Sequence, residues 1–224
     1  MKNLFPFIKK EIKIEINNLS ISRGNQVLFN NLTSLITNHD LVIVRGDNGI
    51  GKTSLLEAIS GFLTPSIGGI KIYSSGNKKY SNEIIAYQPS SSYCKPPLTI
   101  KEDLSFWANI YSNDKLVDDV IRSVELQNIS NLQTQSLSTG QKKRLEIAKV
   151  IISQKPVWIF DEPYAGMDNN GVNLIDTILK SHVNRGGIAI LASHKQIEKV
   201  KLHTQIITMK AARHVQEMKT SVGR

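Results

Sequence analysis

Residues 41–63, LVIVRGDNGIGKTSLLEAISGFL, join a short apolar run, a glycine-rich loop and an amphipathic stretch in that order. The run LVIVR is typical of a buried strand. Apolar residues then recur at helical spacing, and we expect them to form the buried face of one helix. This face comprises Leu55, Leu56, Ile59, Phe62 and Leu63. A strand, a loop and a helix in this order indicate an α/β protein.

The loop itself, GDNGIGKT at residues 46–53, matches the pattern G-x-x-x-x-G-K-[ST]. Its glycines allow successive backbone N–H groups to curl around a polyphosphate, and the helix that begins there adds its positive end. Lys52 is expected to reach the β- and γ-phosphates, and the Thr53 hydroxyl to bind Mg²⁺. The loop therefore predicts a nucleoside triphosphate site. We assign to it Gly46, Asp47, Asn48, Gly49, Ile50, Gly51, Lys52, Thr53 and Ser54.

A second motif, VWIFDEP at residues 157–163, is a buried-type strand that ends in two acids. Ligands of open α/β sheets bind at the carboxyl ends of the strands, where this motif delivers Asp161. Asp161 is suited to hold Mg²⁺, directly or through water, and Glu162 to orient or deprotonate the attacking water. An isolated acid pair after a strand is usually a surface turn, but the phosphate loop favours the catalytic interpretation.

The remaining pattern indicates the fold class. Residues 11–16, EIKIEI, alternate polar and apolar positions, and short strands follow at GGIKIY and IIAY. Residues from about 99 to 153 are mostly helical, and strands separated by helices return after them. We predict an α/β P-loop NTPase core of the RecA-like type with a mostly parallel sheet. An N-terminal antiparallel β portion and an inserted α-helical subdomain complete the prediction.

Composition narrows the function classes less than the motifs do. The formal net charge of +9 fits either attraction to nucleic acid or an anionic membrane, or simply a lysine-rich surface. The single cysteine, Cys94, excludes an internal disulfide, and we expect it to be a passive residue. No run of about 18 apolar residues occurs, so we expect the chain not to span a membrane by itself.

Further motifs give the chain a family resemblance. LSTGQ at residues 137–141 resembles the LSGGQ signature of ATP-binding-cassette (ABC) ATPases, and the other motifs of that family follow in its order. Gln88 matches the Q-loop glutamine, Asp168 in AGMD the D-loop, and His194 in LASHK the switch histidine. The resemblance covers essentially residues 12–210. The signature consists of Leu137, Ser138, Thr139, Gly140 and Gln141.

The resemblance implies how these residues work. Two cassettes are expected to face head to tail with two ATP molecules between them, so that each signature contacts the ATP of the other subunit. Catalysis is assigned to Glu162, His194 and Gln88. His194 is expected to bridge the γ-phosphate, the water and the opposite subunit's Asp168, and Gln88 is expected to sense Mg²⁺ together with the water. The implied ligands are ATP and Mg²⁺, with Thr53, Gln88 and Asp161 as the Mg²⁺ residues.

Two positions depart from the family pattern. The family usually has glycine where this chain has Thr139, although the backbone N–H remains available. The family also stacks adenine on an aromatic residue, whereas this region offers Arg23. A guanidinium can stack on a purine, but Arg23 as a plain surface residue is an equally good interpretation.

The resemblance also implies organisation and partners. We expect an N-terminal tail at 1–11, a single nucleotide-binding domain at 12–210 with its helical subdomain at about 90–148, and a basic tail at 211–224. The expected partners are a second cassette and integral membrane permease subunits, with no direct contact to nucleic acid. Less specific segments, including WIFDEPYAGMD, resemble those of the ATP-binding subunit of the haem exporter in cytochrome c maturation. The chain is then expected on the cytoplasmic face of the inner membrane, or on the matrix face in an organelle.

Other interpretations stay open at this point. One is a subunit of another ABC transporter, for a lipid, a peptide or a small molecule. The other is a soluble nucleic-acid or ribosome-associated cassette. Residues 89–111 carry an aromatic cluster where a membrane subunit is expected to dock. Packing of Phe106 and Trp107 inside the helical subdomain is the alternative for that cluster.

Overall fold

The structure, a computed structural model, describes residues 4–24, 26–90, 98–193 and 202–210 of the chain. The strands are β1 Ile12–Arg23, β2 Gln26–Thr37, β3 Asp40–Arg45, β4 Ile67–Ser74, β5 Asn77–Lys79, β6 Ile85–Gln88, β7 Val157–Asp161, β8 Ile188–Ala192 and β9 His203–Thr208. The α-helices are α1 Lys52–Ile59, α2 Ser81–Ile84, α3 Ile100–Tyr111, α4 Val117–Ser123, α5 Thr139–Ile152 and α6 Asn169–Asn184.

The strands form two sheets. Strands β2, β1, β4 and β5, in that order, make an antiparallel sheet. The other sheet has the order β6-β7-β8-β3-β9, and every neighbouring pair in it is parallel. This arrangement confirms the predicted α/β class, with its parallel core and its antiparallel N-terminal portion.

The two faces of the parallel sheet follow from the alternation of side chains along each strand. In β7, Val157 and Ile159 face a core shared with α1 and the antiparallel sheet. Trp158 and Phe160 point to the opposite face, where they join a second core formed with α3 to α6. Because both faces are covered, β7 and β8 are buried along their whole length. This double burial explains why their sequences read as unbroken apolar runs.

The N-terminal segment that we assigned to a tail packs against the second core. Leu4 and Phe5 are buried, and the Phe5 ring lies 6.0 Å from that of Trp158. The Ile8 N–H donates to the carbonyl oxygen of Arg185 at 2.8 Å. Residues 4–8 therefore cover the end of the sheet at which β7 begins.

One expectation about the first helix is wrong. We expected Phe62 on its buried face, but α1 ends at Ile59 and the Phe62 side chain is 75% exposed. The chain turns at Gly61, and the Phe62 ring then lies 5.7 Å from the ring of Tyr87. The helical spacing that suggested a buried Phe62 does not apply beyond the end of the helix.

A buried histidine beneath the sheet makes stability depend on pH. His182 stacks on Trp158 with the ring centroids 3.6 Å apart, and its Nε2 lies 3.1 Å from the Pro156 carbonyl oxygen. Burial lowers the pKa of His182 from 6.5 to about 3, although hydrogen bonds to the backbone oppose this shift. The folded protein therefore keeps His182 neutral at pH values where the unfolded chain takes up a proton there.

We predict that the free energy of unfolding decreases as the pH falls below about 6.5, since protons then bind preferentially to the unfolded state. Between pH 6.5 and 5 His182 should account for a loss of about 1.5 kcal/mol. His182→Phe, which keeps a ring against Trp158, should lack this component. Denaturant unfolding of both proteins at several pH values measures it. An identical pH dependence in the two proteins would contradict the neutral, buried state of His182.

Candidate functional site

The phosphate loop connects β3 to α1. Gly51 is the N-cap of α1 with φ of 102°, a conformation that glycine adopts without strain, and this brings the loop tightly into the helix. The Lys52 ammonium donates hydrogen bonds to the carbonyl oxygens of Gly46 and Asp47, at 2.8 and 3.1 Å. The lysine thus lies over its own loop, within which the backbone N–H groups can meet an anion.

The two acids of the second motif follow β7 at the carboxyl edge of the parallel sheet. Asp161 is buried, and its Oδ2 accepts a hydrogen bond of 2.8 Å from the Thr53 hydroxyl. Glu162 has φ of 51°, in the left-handed region that a glutamate seldom occupies. Such backbone strain clusters at functional sites. The motifs around Lys52 and Asp161, far apart in sequence, are therefore joined directly.

Gln88 lies at the end of β6, next to β7. It is 1% exposed, its amide nitrogen donates to the Pro89 carbonyl oxygen, and its Oε1 has no hydrogen-bond partner among the described residues. A buried acceptor without a partner is unfavourable by about 1–3 kcal/mol. The oxygen is thus available to a cation or to the hydrogen of a water molecule.

Lys52, Thr53, Asp161 and Glu162 line one cleft of about 500 Å³, whereas Gln88 is not part of its lining. Its lining is Arg23, Leu28, Asn48, Gly49, Gly51, Lys52, Thr53, Ser54, Ser90, Asp161 and Glu162. Arg23 reaches the cleft, but its guanidinium is also paired with Glu57 at 2.8 Å. Leu28, which no sequence motif indicated, supplies an apolar wall beside Gly51.

The signature residues lie at the start of α5. Ser138 is the N-cap: its hydroxyl accepts from the Gln141 N–H at 3.3 Å, and the Gln141 side chain accepts from the Ser138 N–H at 2.9 Å. This reciprocal capping box fixes the first turn of α5. Leu137 is buried, whereas Ser138 and Thr139 are exposed and Gly140 is half-buried. A capping hydroxyl can still donate its own hydrogen to a further acceptor.

Asp168 caps the next helix. Its Oδ1 accepts a hydrogen bond of 2.8 Å from the Gly171 N–H at the start of α6, and the residue is exposed. His194 lies outside the described residues, as do Cys94 and most of the loop that follows Gln88. The described part of the chain contains no group of three or more His, Cys, Asp or Glu side chains placed to bind a metal.

A second and larger cleft, of about 690 Å³, runs beside Gln88. Its aromatic lining is Phe62, Tyr80, Tyr87, Trp107 and Tyr111. Its floor includes Glu146 and Lys149, and Lys149 bridges Glu146 and the buried Asp103 at 3.1 and 2.8 Å. We call this cleft the aromatic groove.

The predicted aromatic cluster divides between the core and the groove. Trp107 is half-buried against the helical core and stacks on Tyr111 at 6.3 Å, and both line the groove. Phe106 is 42% exposed and meets Trp107 edge to face. The expectation of packing inside the helical subdomain thus holds in part for Trp107, which also lines the groove, and is wrong for Phe106, which is exposed.

Lys143 is a residue of the site that sequence reasoning missed. It is 4% exposed within α5, and its ammonium donates a hydrogen bond of 2.9 Å to the Ser90 carbonyl oxygen, two residues after Gln88. Burial lowers the pKa of Lys143, while Asp161, Glu146 and Glu162 oppose the shift. A lysine in a basic helix is usually exposed to solvent, so the sequence pattern did not predict the contact between Lys143 and Ser90.

Comparison with known proteins assigns the family. A model of the ABC transporter family matches residues 29–165. The chain belongs to the ABC transporter family. It is accordingly an ABC-type ATPase that binds and hydrolyses ATP, and the predicted family resemblance is confirmed.

Relatives and solved structures agree with this assignment. The chain is 36% identical to the cytochrome c biogenesis ATP-binding export protein CcmA of Haemophilus influenzae, over 83% of this chain and 90% of that protein. It is 32% identical to the protein of the same name from Reclinomonas americana, over 92% of this chain and 95% of that protein. A solved ATP-binding subunit of an ABC transporter, 23% identical, shares the fold with a TM-score of 0.71, covering 81% of this chain and 79% of that one.

We predict that Lys143→Met lowers the ATP turnover number about tenfold while nucleotide binding is retained. The change removes a hydrogen bond from a charged donor, worth about 1.5–3 kcal/mol, together with a cation beside Asp161 and Glu162. Lys143→Arg keeps the charge and should recover much of the turnover. Steady-state ATPase assays with a fluorescent-nucleotide binding titration measure both quantities. Equal turnover in the methionine and arginine variants would show that the charge has no role.

Proposed function

We propose that this chain is the ATP-hydrolysing subunit of a membrane exporter in cytochrome c biogenesis. The observation that carries the proposal is the convergence of Lys52, Thr53, Asp161 and Glu162 on one cleft, with Gln88 at the end of the strand that pairs with β7. Relatives that bear this export name support the physiological setting. Haem is the cargo implied by the sequence resemblance.

ATP binding uses the phosphate loop. The backbone N–H groups of residues 46–51 and the first turn of α1 meet the phosphates, and Lys52 exchanges its bonds to its own loop for the β- and γ-phosphates. Leu28 and Arg23 lie at the side of the cleft where the nucleoside extends. In this arrangement Arg23 stacks on adenine by its guanidinium plane, after release from Glu57.

The residues present fit a magnesium ion. Thr53 and Asp161 offer hard oxygen donors in the cleft, and the buried Gln88 oxygen, which has no hydrogen-bond partner in the described part of the chain, is the third candidate donor. A bound Mg²⁺ neutralises the negative charge that develops on the phosphate oxygens. Thr53 and Asp161 are already held 2.8 Å apart by their hydrogen bond, so this pair is in place before nucleotide enters.

Hydrolysis is then assigned to Glu162. A water oxygen forms a bond to the γ-phosphorus while the bond from that phosphorus to the β–γ bridging oxygen breaks, and ADP leaves. The Glu162 carboxylate accepts the proton from the attacking water. Gln88 orients this water, and His194 bridges it to the γ-phosphate, as the family resemblance implies.

The complete site needs a second copy of the chain. The residues at the start of α5, Ser138 and the backbone of Thr139 and Gly140, face the γ-phosphate bound by the other copy. The helix N-terminus and the Ser138 hydroxyl supply donors for that anion. Leu137 supports this turn from the core, and Gln141 holds it through the capping box. Asp168 approaches His194 of the other copy.

Export also needs a membrane partner. The structure contains, among the residues it describes, no helix that is long and apolar enough to cross a membrane. We assign the aromatic groove to the permease subunits, because exposed aromatic side chains beside the Q-loop offer a ready docking surface. The chain would then be held at the cytoplasmic or matrix face of the inner membrane through that partner.

We retain the predicted organisation as part of the proposal. Residues 12–210 form the nucleotide-binding domain, with a helical subdomain at about 90–148, and residues 1–11 and 211–224 are its terminal extensions. The described part of the N-terminal extension is anchored to the domain through Phe5 and Ile8.

We predict that Glu162→Gln binds ATP, loses turnover by at least about a hundredfold and accumulates as a dimer with ATP and Mg²⁺, because the proton acceptor is lost while the phosphate contacts remain. Size-exclusion chromatography with light scattering and an ATPase assay measure these effects. Lys52→Ala is the matched control, and it should lose binding and dimerisation together. Wild-type turnover in Glu162→Gln would exclude this residue as the base.

The membrane partner is identified by affinity purification of Glu162→Gln from native membranes with ATP and Mg²⁺. We predict recovery of multi-spanning proteins of the cytochrome c maturation system, together with haem. Adding Phe62→Asp should reduce that recovery about tenfold, since it places a charge in the aromatic groove. Ile67→Asp, at a residue 66% exposed outside the groove, is the control. An unrelated permease would discard the cytochrome c setting, and recovery of ribosomes or nucleic acid alone would discard export.

A further inference from the structure

The signature touches the turn between β7 and α6 within the same chain. Gly166 lies in this turn with φ of +72°. A Cβ added at Gly166 would lie 2.8 Å from Thr139 Cγ2 and 3.2 Å from Thr139 Cβ. Gly140 is the next residue of the signature, and a Cβ added there would lie 3.3 Å from the Gly166 carbonyl oxygen. The Thr139 methyl therefore fills the space that the missing side chain of Gly166 leaves open.

Backbone hydrogen bonds tie this turn to the proposed catalytic residue. The Ala165 N–H donates to the Glu162 carbonyl oxygen at 3.3 Å, and the Met167 N–H donates to that of Tyr164 at 3.2 Å. The Tyr164 hydroxyl holds the turn to α6 through a bond of 2.7 Å to Asp176. Glu162 begins this turn, and Asp168 ends it by capping α6. A displacement of Gly166 is thus passed to the backbone of both acids.

The signature side of the contact is equally well fixed. The capping box between Ser138 and Gln141 holds Thr139 as the first residue of α5. Threonine is branched at Cβ, so few χ1 rotamers are open to it. A serine at this position would leave the methyl site empty, and a glycine would leave no side chain to meet Gly166.

We propose that Thr139 is a positioning residue whose methyl group sets the position of the turn 162–168 through Gly166. The inference rests on the proposed function, in which the start of α5 contacts the ATP of the other copy. In that dimer, a shift of α5 towards one ATP moves the turn that carries Glu162, which serves the other ATP. Thr139, the residue that departs from the family signature, thereby couples the two sites.

The test is a double-mutant cycle between Thr139→Ser, which removes only the methyl group and keeps the hydroxyl, and Gly166→Ala, which adds the clashing Cβ. We expect Gly166→Ala to lower kcat about tenfold with a smaller change in KM, because the turn and not the phosphate loop is displaced. Thr139→Ser in the same chain should recover about threefold or more of that loss. Thr139→Ser alone should weaken the cooperative dependence of turnover on ATP concentration.

Gly76→Ala is the control for backbone strain alone, since Gly76 has φ of +78° and a Cβ there would meet nothing within 4 Å. It should change thermal stability and leave kcat unaltered. If Gly166→Ala does not fold, Thr139→Val, which keeps a methyl group, is compared with Thr139→Ser. Valine should preserve the cooperativity that serine weakens.

The results separate the two proposals. If the wild-type chain turns over ATP but the loss in Gly166→Ala is the same with threonine or serine at position 139, the coupling inference is overturned and the proposed function stands. Equal cooperativity in Thr139→Val and Thr139→Ser overturns it as well. If the wild-type chain neither binds nor hydrolyses ATP, the proposed function fails, and the inference fails with it.

Discussion

The hydrogen bond of 2.8 Å between the Thr53 hydroxyl and Asp161 joins two motifs that lie 108 positions apart in the chain. It forms because β3 and β7 lie in one parallel sheet with only β8 between them. Parallel strands end at the same edge of the sheet. Thr53, the last residue of the phosphate loop, and Asp161, the last residue of β7, therefore lie side by side. The whole cleft is built around this pair, with Lys52 and Glu162 adjacent to its two members.

The same edge explains why the turn after β7 is strained. The Glu162 N–H still donates to the Ala192 carbonyl oxygen at 3.0 Å, which extends the pairing of β7 with β8. The chain must then leave the sheet at once, and it does so with Glu162 in the left-handed region, at an expense of about 1–2 kcal/mol. The strand that precedes Glu162, β7, and the strand to which its N–H is bonded, β8, are both buried along their length. These buried strands hold the strained conformation in place.

The fold and the main residues of the cleft were predictable because they depend on local patterns. The loop 46–53 and the acids after β7 each form a short motif, and apolar runs identified the buried strands. Three features were not predictable, for a common reason. Helix α1 ends before Phe62 and leaves that side chain exposed, Lys143 donates a hydrogen bond to Ser90, and Thr139 contacts Gly166. Each feature depends on where a helix ends or on a contact between two segments that are distant in sequence. The periodicity of one sequence carries no information about either.

Gln88 connects the aromatic groove to the strand that carries Asp161. It lines the aromatic groove, and its strand β6 pairs with β7 immediately before Asp161. Among the described strands β6 is at the edge of the parallel sheet, so under the proposed function a partner in the groove would act on a strand that pairs only with β7. If such a partner changes the affinity for ATP, ATP must change the affinity for that partner by the same factor. Under the proposed function, binding of nucleotide and binding of the membrane subunit are then coupled, and Gln88 lies on the strand pair that connects the groove to Asp161.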